Sequence, residues 1–574
     1  LDKKDLKHLQ KEIEEALKEF SAPGVAVGII KDGKILLSQG FGYRNYEKKL
    51  PVTDKTIFAI ASCTKAFTAF LLGQLVDEGC LSFDDKVVKH IPDFRLYDDY
   101  ISSHITIRDL LSHTSGLPRH DAIWYSNPHI SRKTLLQRLS YLEPARDFRQ
   151  KCQYNNLMYM VAGSVIEAVT GQEWEIALKN RIFKPLGMNF SNSCVIDSQN
   201  SDDFALPYLI RERSPFRIPF RDISLVGPGA SINSSIADLL KWIQVHLSKG
   251  LFLEKKQIER ATLEEIHTLQ AALPAFPTEP IYSLGFGLGW EVGVYRGHYW
   301  LTHEGRVDGF SSSISLFPKE AIGLIILTNS SPTSHSPLTI HIQDIIADRL
   351  LGLKKEKKSK EKKPFSFSQE KRSANKPPLK PPSLQPYLGS YEHPGYGNLE
   401  IQEKEGRLFG KLNKITFPLT YQSVDLFCGA PTEAIFDDET MLTFSFSRGF
   451  EGEVSGLSVP FEPFVEPICF KKKPRAERES LPYLTSLQGI YENSFLTIEI
   501  ILRGEHLVAL VTGDIAFGQG QPAYTLTAEG ELSFSLREFP GGFFQFKKEN
   551  DMVTELLFRQ PFEKSILKKR LDIL

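Results

Sequence analysis

Ile57-Phe58-Ala59-Ile60-Ala61-Ser62-Cys63-Thr64-Lys65-Ala66-Phe67-Thr68-Ala69-Phe70-Leu71-Leu72 is the stretch that decides the fold of this chain. An apolar segment leads into Ser-x-x-Lys and on into an apolar helix, predicted over 62–79 with Gly79 as its C-terminal stop. A spacing of three sets Ser62 and Lys65 side by side on one helical face. A lysine shielded from water there loses proton affinity and can take the proton of a serine hydroxyl. The helix N-terminus offers unpaired N–H groups to a developing oxyanion. The alternative is an N-capping serine beside a solvated lysine. Ser-x-x-Lys is weak evidence alone, since it begins also at Ser359, Ser368, Ser373 and Ser565.

Two further patterns weigh against that alternative. Tyr-x-Asn begins at Tyr43, Tyr125, Tyr154, Tyr396 and Tyr491, but only Tyr154-Asn155-Asn156 runs straight into a long apolar helix. There an asparagine can cap while Tyr154 points off the helix end. His303-Glu304-Gly305 follows the strand-like Trp300-Leu301-Thr302. Glycine there is expected to let a substrate backbone lie along the strand edge, with the Arg306 N–H facing a cleft. Glu304 is an amine-binding candidate, but alternation along a strand turns it away from His303. GxSxG, P-loop and GxGxxG patterns are missing, and the zinc pattern HExxH fails because Val307 stands at its second histidine.

The chain has 574 residues, more than one core accommodates. It carries 69 Lys+Arg against 70 Asp+Glu, so no global field favours nucleic acid or an anionic bilayer, and neither partner is expected. No apolar run reaches membrane-spanning length. The six cysteines are scattered without a CxxC, so neither a zinc site nor a redox motif is expected; they read as mostly free thiols, a disulfide staying open. The chain begins at Leu1 and reads as trimmed.

Four segments are expected. Residues 1–352 form a mixed domain in which an antiparallel sheet is flanked by helices, opening with a helix and a hairpin about Lys31-Asp32-Gly33-Lys34. Residues 353–383 are a basic, Pro/Lys-rich linker. Residues 384–476 and 477–574 are two copies of one small all-β unit, because Leu388-Gly389-Ser390-Tyr391-Glu392 returns as Gln488-Gly489-Ile490-Tyr491-Glu492 one hundred residues on.

Ser62-Cys63-Thr64-Lys65, Tyr154-Asn155-Asn156 and His303-Glu304-Gly305, in that order, resemble the serine β-lactamase and penicillin-binding protein superfamily, in its class C-like branch of esterases and D-aminopeptidases. The stretches Leu110-Leu111-Ser112-His113-Thr114-Ser115-Gly116-Leu117-Pro118 and Gly227-Pro228-Gly229 look like that branch as well. The resemblance implies an α+β catalytic domain with two lipocalin-like barrels behind it. It implies Ser62 as the acylated nucleophile, Lys65 and Tyr154 sharing acid and base work, and His303 in the third element. It further implies that Asn156 and Gly305 contact substrate, and that the N–H groups of Ser62 and Arg306 form the oxyanion hole. No cofactor or metal is implied. The expected substrate is a small molecule or short peptide, cleaved at an amide or ester bond, D-residue peptides included. A weak β-lactamase or DD-peptidase is the alternative, or a non-catalytic scaffold whose repeats bind a ligand. A periplasmic or secreted location is favoured by the resemblance, a cytoplasmic one staying open, as does homo-oligomerisation. The chain departs from the penicillin-recognising pattern at His303, where a lysine usually supplies a fixed cation for a substrate carboxylate.

Overall fold

A computed structural model describes residues 3–125, 127, 130–274, 281–331, 338–354, 383–432, 441–473, 481–503, 506–513, 523–530, 532–536, 542–549, 552–559 and 564–570. Most of the expected linker 353–383 lies outside these. The described chain divides into two compact units, Leu1–Lys472 and Lys473–Leu574.

The first unit is built on a nine-stranded antiparallel sheet. One of its inner strands, Gly24–Lys31, is buried on both faces, as its apolar sequence requires. Val25, Val27 and Ile29 face a core shared with the helices Lys3–Glu19 and Leu338–Leu350. Ala26 and Ile30 face the larger core holding the helices Thr64–Asp77, Leu157–Thr170 and Ile236–Leu247. The sheet is thus sandwiched between helical layers, and Gly24–Lys31 and Lys34–Asn45 form the expected hairpin. Asp32 and Gly33 take φ of 50° and 72° at its turn, the left-handed geometry a tight hairpin demands.

Several bounds differ from the sequence expectation for local reasons. The Ser62 helix opens with a 3-10 turn, Ala61–Cys63, and Ala61 sits at φ 45°, a conformation costly for a residue with a Cβ. The strand Glu291–Tyr295 does not continue Ile281–Phe286 directly. Gly287-Leu288-Gly289-Trp290 turns instead, with Gly289 at φ 77°, where a Cβ would lie 2.7 Å from the Lys65 carbonyl oxygen. The third motif lies in a longer strand, His298–Val307.

Each C-terminal copy is a closed eight-stranded barrel. The duplication reaches side-chain detail: Tyr391 donates its hydroxyl proton to the Tyr387 carbonyl at 2.8 Å, and Tyr491 to Leu487 at 2.9 Å. Lys472 and Lys569 each stand 5.6 Å from the matching tyrosine ring. The first barrel shares one continuous apolar core with the catalytic domain, whereas the second has its own. All six cysteines are free. Among the described residues no helix is long and apolar enough to cross a membrane.

Candidate active site

Ser62 and Lys65 meet as helical spacing requires, with Lys65 Nζ 3.2 Å from Ser62 Oγ. Lys65 is fully buried, which overturns the solvated-lysine alternative. Its amine donates to Asn156 Oδ1 at 2.7 Å and to the Gly229 carbonyl at 2.9 Å. Burial, and then the Arg119 guanidinium, push its pKa well below the usual lysine range. With both N–H bonds of a neutral amine spent on those oxygens, its lone pair is left for the Ser62 hydroxyl.

Tyr154 donates its hydroxyl proton to Ser62 Oγ at 2.8 Å. Asn155, not Asn156, caps the following helix, its Oδ1 accepting the Met158 N–H at 2.9 Å. That division of labour frees Asn156 for Lys65. Burial raises the Tyr154 pKa, so the phenol keeps its proton at neutral pH.

The third motif closes the cluster. His303 is buried, its ring centroid 6.3 Å from that of Tyr154. Its Nδ1 lies 2.7 Å from the Glu304 carbonyl, so it carries the proton, and Nε2 is left without a partner among the described residues. Burial, reinforced by Lys65, lowers its pKa to about 3. Glu304 lies on the other face, since its register partner Ser313 bonds Gln343 of the C-terminal helix. The close approach that Gly305 permits is to the chain itself: a Cβ there would lie 2.1 Å from the Ile60 carbonyl oxygen. The expectation of glycine as room for a substrate backbone is corrected accordingly. Ser312 pins the same carbonyl with a 2.7 Å hydrogen bond, fixing the nucleophile's turn against the strand. Strand pairing with Glu291–Tyr295 ends at Thr302, so the segment 303–307, Arg306 included, keeps an edge without a strand partner among the described residues.

Several members of the site had no motif to announce them. Arg119 stacks 5.5 Å from the Tyr154 ring, and its Nε donates to Asp121 Oδ2 at 2.6 Å. Asp121 Oδ1 accepts from Trp124 Nε1 at 3.0 Å and from Asn156 Nδ2 at 3.4 Å, tying this arm to the Lys65 network. Cys63, next to the nucleophile, is sealed in and its thiol pushed up to about 12, so it is no rival. A cavity of about 870 Å³ lies between Trp124, Phe216, Phe220, Arg221 and Asp308 of the catalytic domain and Lys414 of the first barrel, and none of Ser62, Lys65, Tyr154 and His303 lines it. Among the described residues no group of His, Cys, Asp and Glu side chains is placed to hold a metal ion.

Two expected outcomes arise from this packing. A Cβ on Gly163 would lie 2.2 Å from Pro228 Cγ, next to the carbonyl that holds Lys65. Gly163→Ala is expected to cost about 1–3 kcal/mol in urea unfolding and to slow Ser62 acylation, because Gly229 must shift. Buried histidines make the domain acid-sensitive. His267 and His303 have pKa near 3, both lowered by burial, against an ordinary 6.5. Between those values the unfolded chain binds more protons, so stability falls with falling pH, by about 1.4 kcal/mol per unit for each group. Urea unfolding followed by tryptophan fluorescence at pH 7 and pH 5 checks this. All five tryptophans precede residue 301 and report on this domain alone.

A helix-flanked antiparallel sheet presenting serine, lysine and tyrosine in one cleft defines a serine hydrolase of the β-lactamase fold. The β-lactamase family model matches residues 9–347, and the chain belongs to that family; a domain of unknown function, DUF3471, matches residues 372–472. An unguisins hydrolase of Aspergillus violaceofuscus is 26% identical, over 79% of this chain and 88% of that protein. The octameric penicillin-binding protein homologue from Pyrococcus abyssi superposes with a TM-score of 0.52 at 25% identity, covering 81% of this chain and 100% of that one. The D-amino acid amidase from Ochrobactrum anthropi shares the fold, with a TM-score of 0.51 at 22% identity, covering 60% of this chain and 98% of that one.

Proposed function

We propose that this chain hydrolyses amide or ester bonds of small peptides or esters through an acyl-enzyme on Ser62. The observation that carries this reading is the buried Lys65 amine, which spends its N–H bonds on Asn156 and Gly229 and lies 3.2 Å from Ser62 Oγ. As Ser62 Oγ bonds to the carbonyl carbon, its proton passes to Lys65 Nζ, and the carbonyl electron pair moves onto oxygen. The N–H groups of Ser62 and Arg306 stabilise that oxyanion. Tyr154 gives its proton to the departing nitrogen or oxygen as the scissile bond breaks, and recovers one from the Lys65 ammonium. Water then attacks the ester carbon, loses its proton to Lys65, and Ser62 leaves with that proton restored. Asn156 orients Lys65 throughout, and Gly305 keeps the strand close enough for Arg306 to serve. Neutral His303, with its unpartnered Nε2, accepts a substrate N–H.

Small peptides and amides containing D-residues are a substrate class to try first, in keeping with the resemblance to D-aminopeptidases and with the name of the D-amino acid amidase. Intact mass after incubation with a panel of p-nitrophenyl esters, nitrocefin and D-amino-acid anilides tests the reading. An adduct mapped to Ser62 supports it, and an adduct elsewhere with turnover intact rejects it.

A further inference from the structure

The arm at residues 119–121 is held from outside the catalytic domain. His120 stands at φ 44°, a left-handed conformation that a residue with a side chain adopts only under constraint. Its side chain turns away from Arg119 and Asp121 and is fully buried. His120 Nε2 donates to the Glu143 carbonyl at 3.0 Å, so Nδ1 accepts the Tyr396 hydroxyl proton at 2.7 Å. The His120 backbone N–H donates to Glu462 Oε2 at 2.8 Å. Tyr396 and Glu462 both belong to the first barrel and are themselves buried. Asn413 of the same barrel donates to the Ala122 carbonyl at 3.2 Å, fixing the arm's far end. A strained segment pinned at its middle residue presents its neighbours in one orientation only.

What it presents is a cation. The Arg119 side chain is 51% exposed, beside the Tyr154 ring whose hydroxyl touches Ser62. Asp121 takes only its Nε–H, and the Nη1 and Nη2 groups have no partner among the described residues. Asp121 is meanwhile occupied by Trp124 and Asn156, so it orients the guanidinium without covering its outer edge. That edge is the planar fork that matches a carboxylate. The cleft's carboxylates are committed: Asp121 as above, and Glu462 to the His120 and Phe464 N–H groups. Glu304 lies across the sheet. The site is therefore furnished for an anion rather than an amine.

We propose that Arg119 anchors a carboxylate of the substrate close to the scissile bond, and that Tyr396 and Glu462 of the first barrel are positioning residues for it. Arg119 thus supplies the fixed cation that His303 does not. The proposal rests on Ser62 being the acylated nucleophile.

Two fluorophosphonates test it, with the same short alkyl chain ending in a carboxylate in one and a carboxamide in the other. In each the Ser62 oxygen bonds to phosphorus, fluoride leaves, and the serine proton passes to Lys65. Labelling rates are read on the full chain by intact mass and peptide mapping. The carboxylate probe is expected to label Ser62 at least about 30-fold faster than its carboxamide partner, the size of one charge-assisted contact. Arg119→Ala is expected to bring that ratio below about threefold, Arg119→Lys to keep part of it, and Tyr396→Phe to lower it about three- to tenfold. A ratio near one in the parent, or one that Arg119→Ala leaves unchanged, overturns the anchor while the nucleophile stands. Absence of any label on Ser62 overturns the hydrolase reading and the anchor together.

Discussion

Ser62→Ala is expected to abolish fluorophosphonate labelling and to lower hydrolysis by at least about 10⁴-fold, with the fold intact. The expectation rests on the hydroxyl being the group on which Tyr154 OH and Lys65 Nζ converge, at 2.8 and 3.2 Å. Its removal takes the acceptor of the Tyr154 hydroxyl, which is only part-buried, while Lys65 keeps its bonds to Asn156 and Gly229. The stability change is accordingly expected within about 1 kcal/mol. Turnover in the alanine variant at the parental rate would place the chemistry elsewhere.

Lys65→Arg and Lys65→Met are expected to slow acylation of Ser62 by about 10³-fold or more at pH 7.5, the scale of a lost general base. Arginine stays charged and cannot accept the serine proton, and methionine has no basic nitrogen. The stability outcome separates the two. Methionine fills the apolar space but leaves Asn156 Oδ1 and the Gly229 carbonyl without their donor, at about 1–3 kcal/mol each. Offsetting that, it spares the buried amine's desolvation, so Lys65→Met should fold. Arginine must fit a longer, charged group into a fully buried site and should destabilise more. Stopped-flow labelling and urea unfolding read both.

How far the sequence went can be followed residue by residue. The pairing of Ser62 with Lys65 was legible because it is local: three residues on an apolar helix leave little geometric freedom. The antiparallel sheet with helices on its faces was legible from apolar strands such as Gly24–Lys31, though not its count of nine strands, and the duplicated all-β units from the repeated Gly-x-Tyr-Glu. Glycine roles were harder to read. Gly305 serves a contact with Ile60 and Gly289 one with Lys65, and sequence gives no partner for a missing Cβ. The Gly229 carbonyl that holds Lys65 is a backbone atom, with no side-chain signature at all. The contacts of Arg119 with Tyr154, of Asp121 with Asn156 and of Tyr396 and Glu462 with His120 form only when distant segments pack, and none falls on a periodic pattern. The one local cue for Arg119 and Asp121 was position: they closely follow Leu117-Pro118 in the irregular stretch that comes after the helix Ile107–Leu111.

The pH dependence of Ser62 labelling by an uncharged fluorophosphonate bears most directly on the role of the buried amine. If neutral Lys65 accepts the serine proton, the rate rises with pH along a single ionisation and levels off well below 10, because burial and Arg119 depress that amine. Arg119→Ala should move the midpoint upward, as it removes a neighbouring positive charge. A rate still climbing at pH 10 with the midpoint of an ordinary lysine, or a profile identical in Lys65→Met, would contradict it.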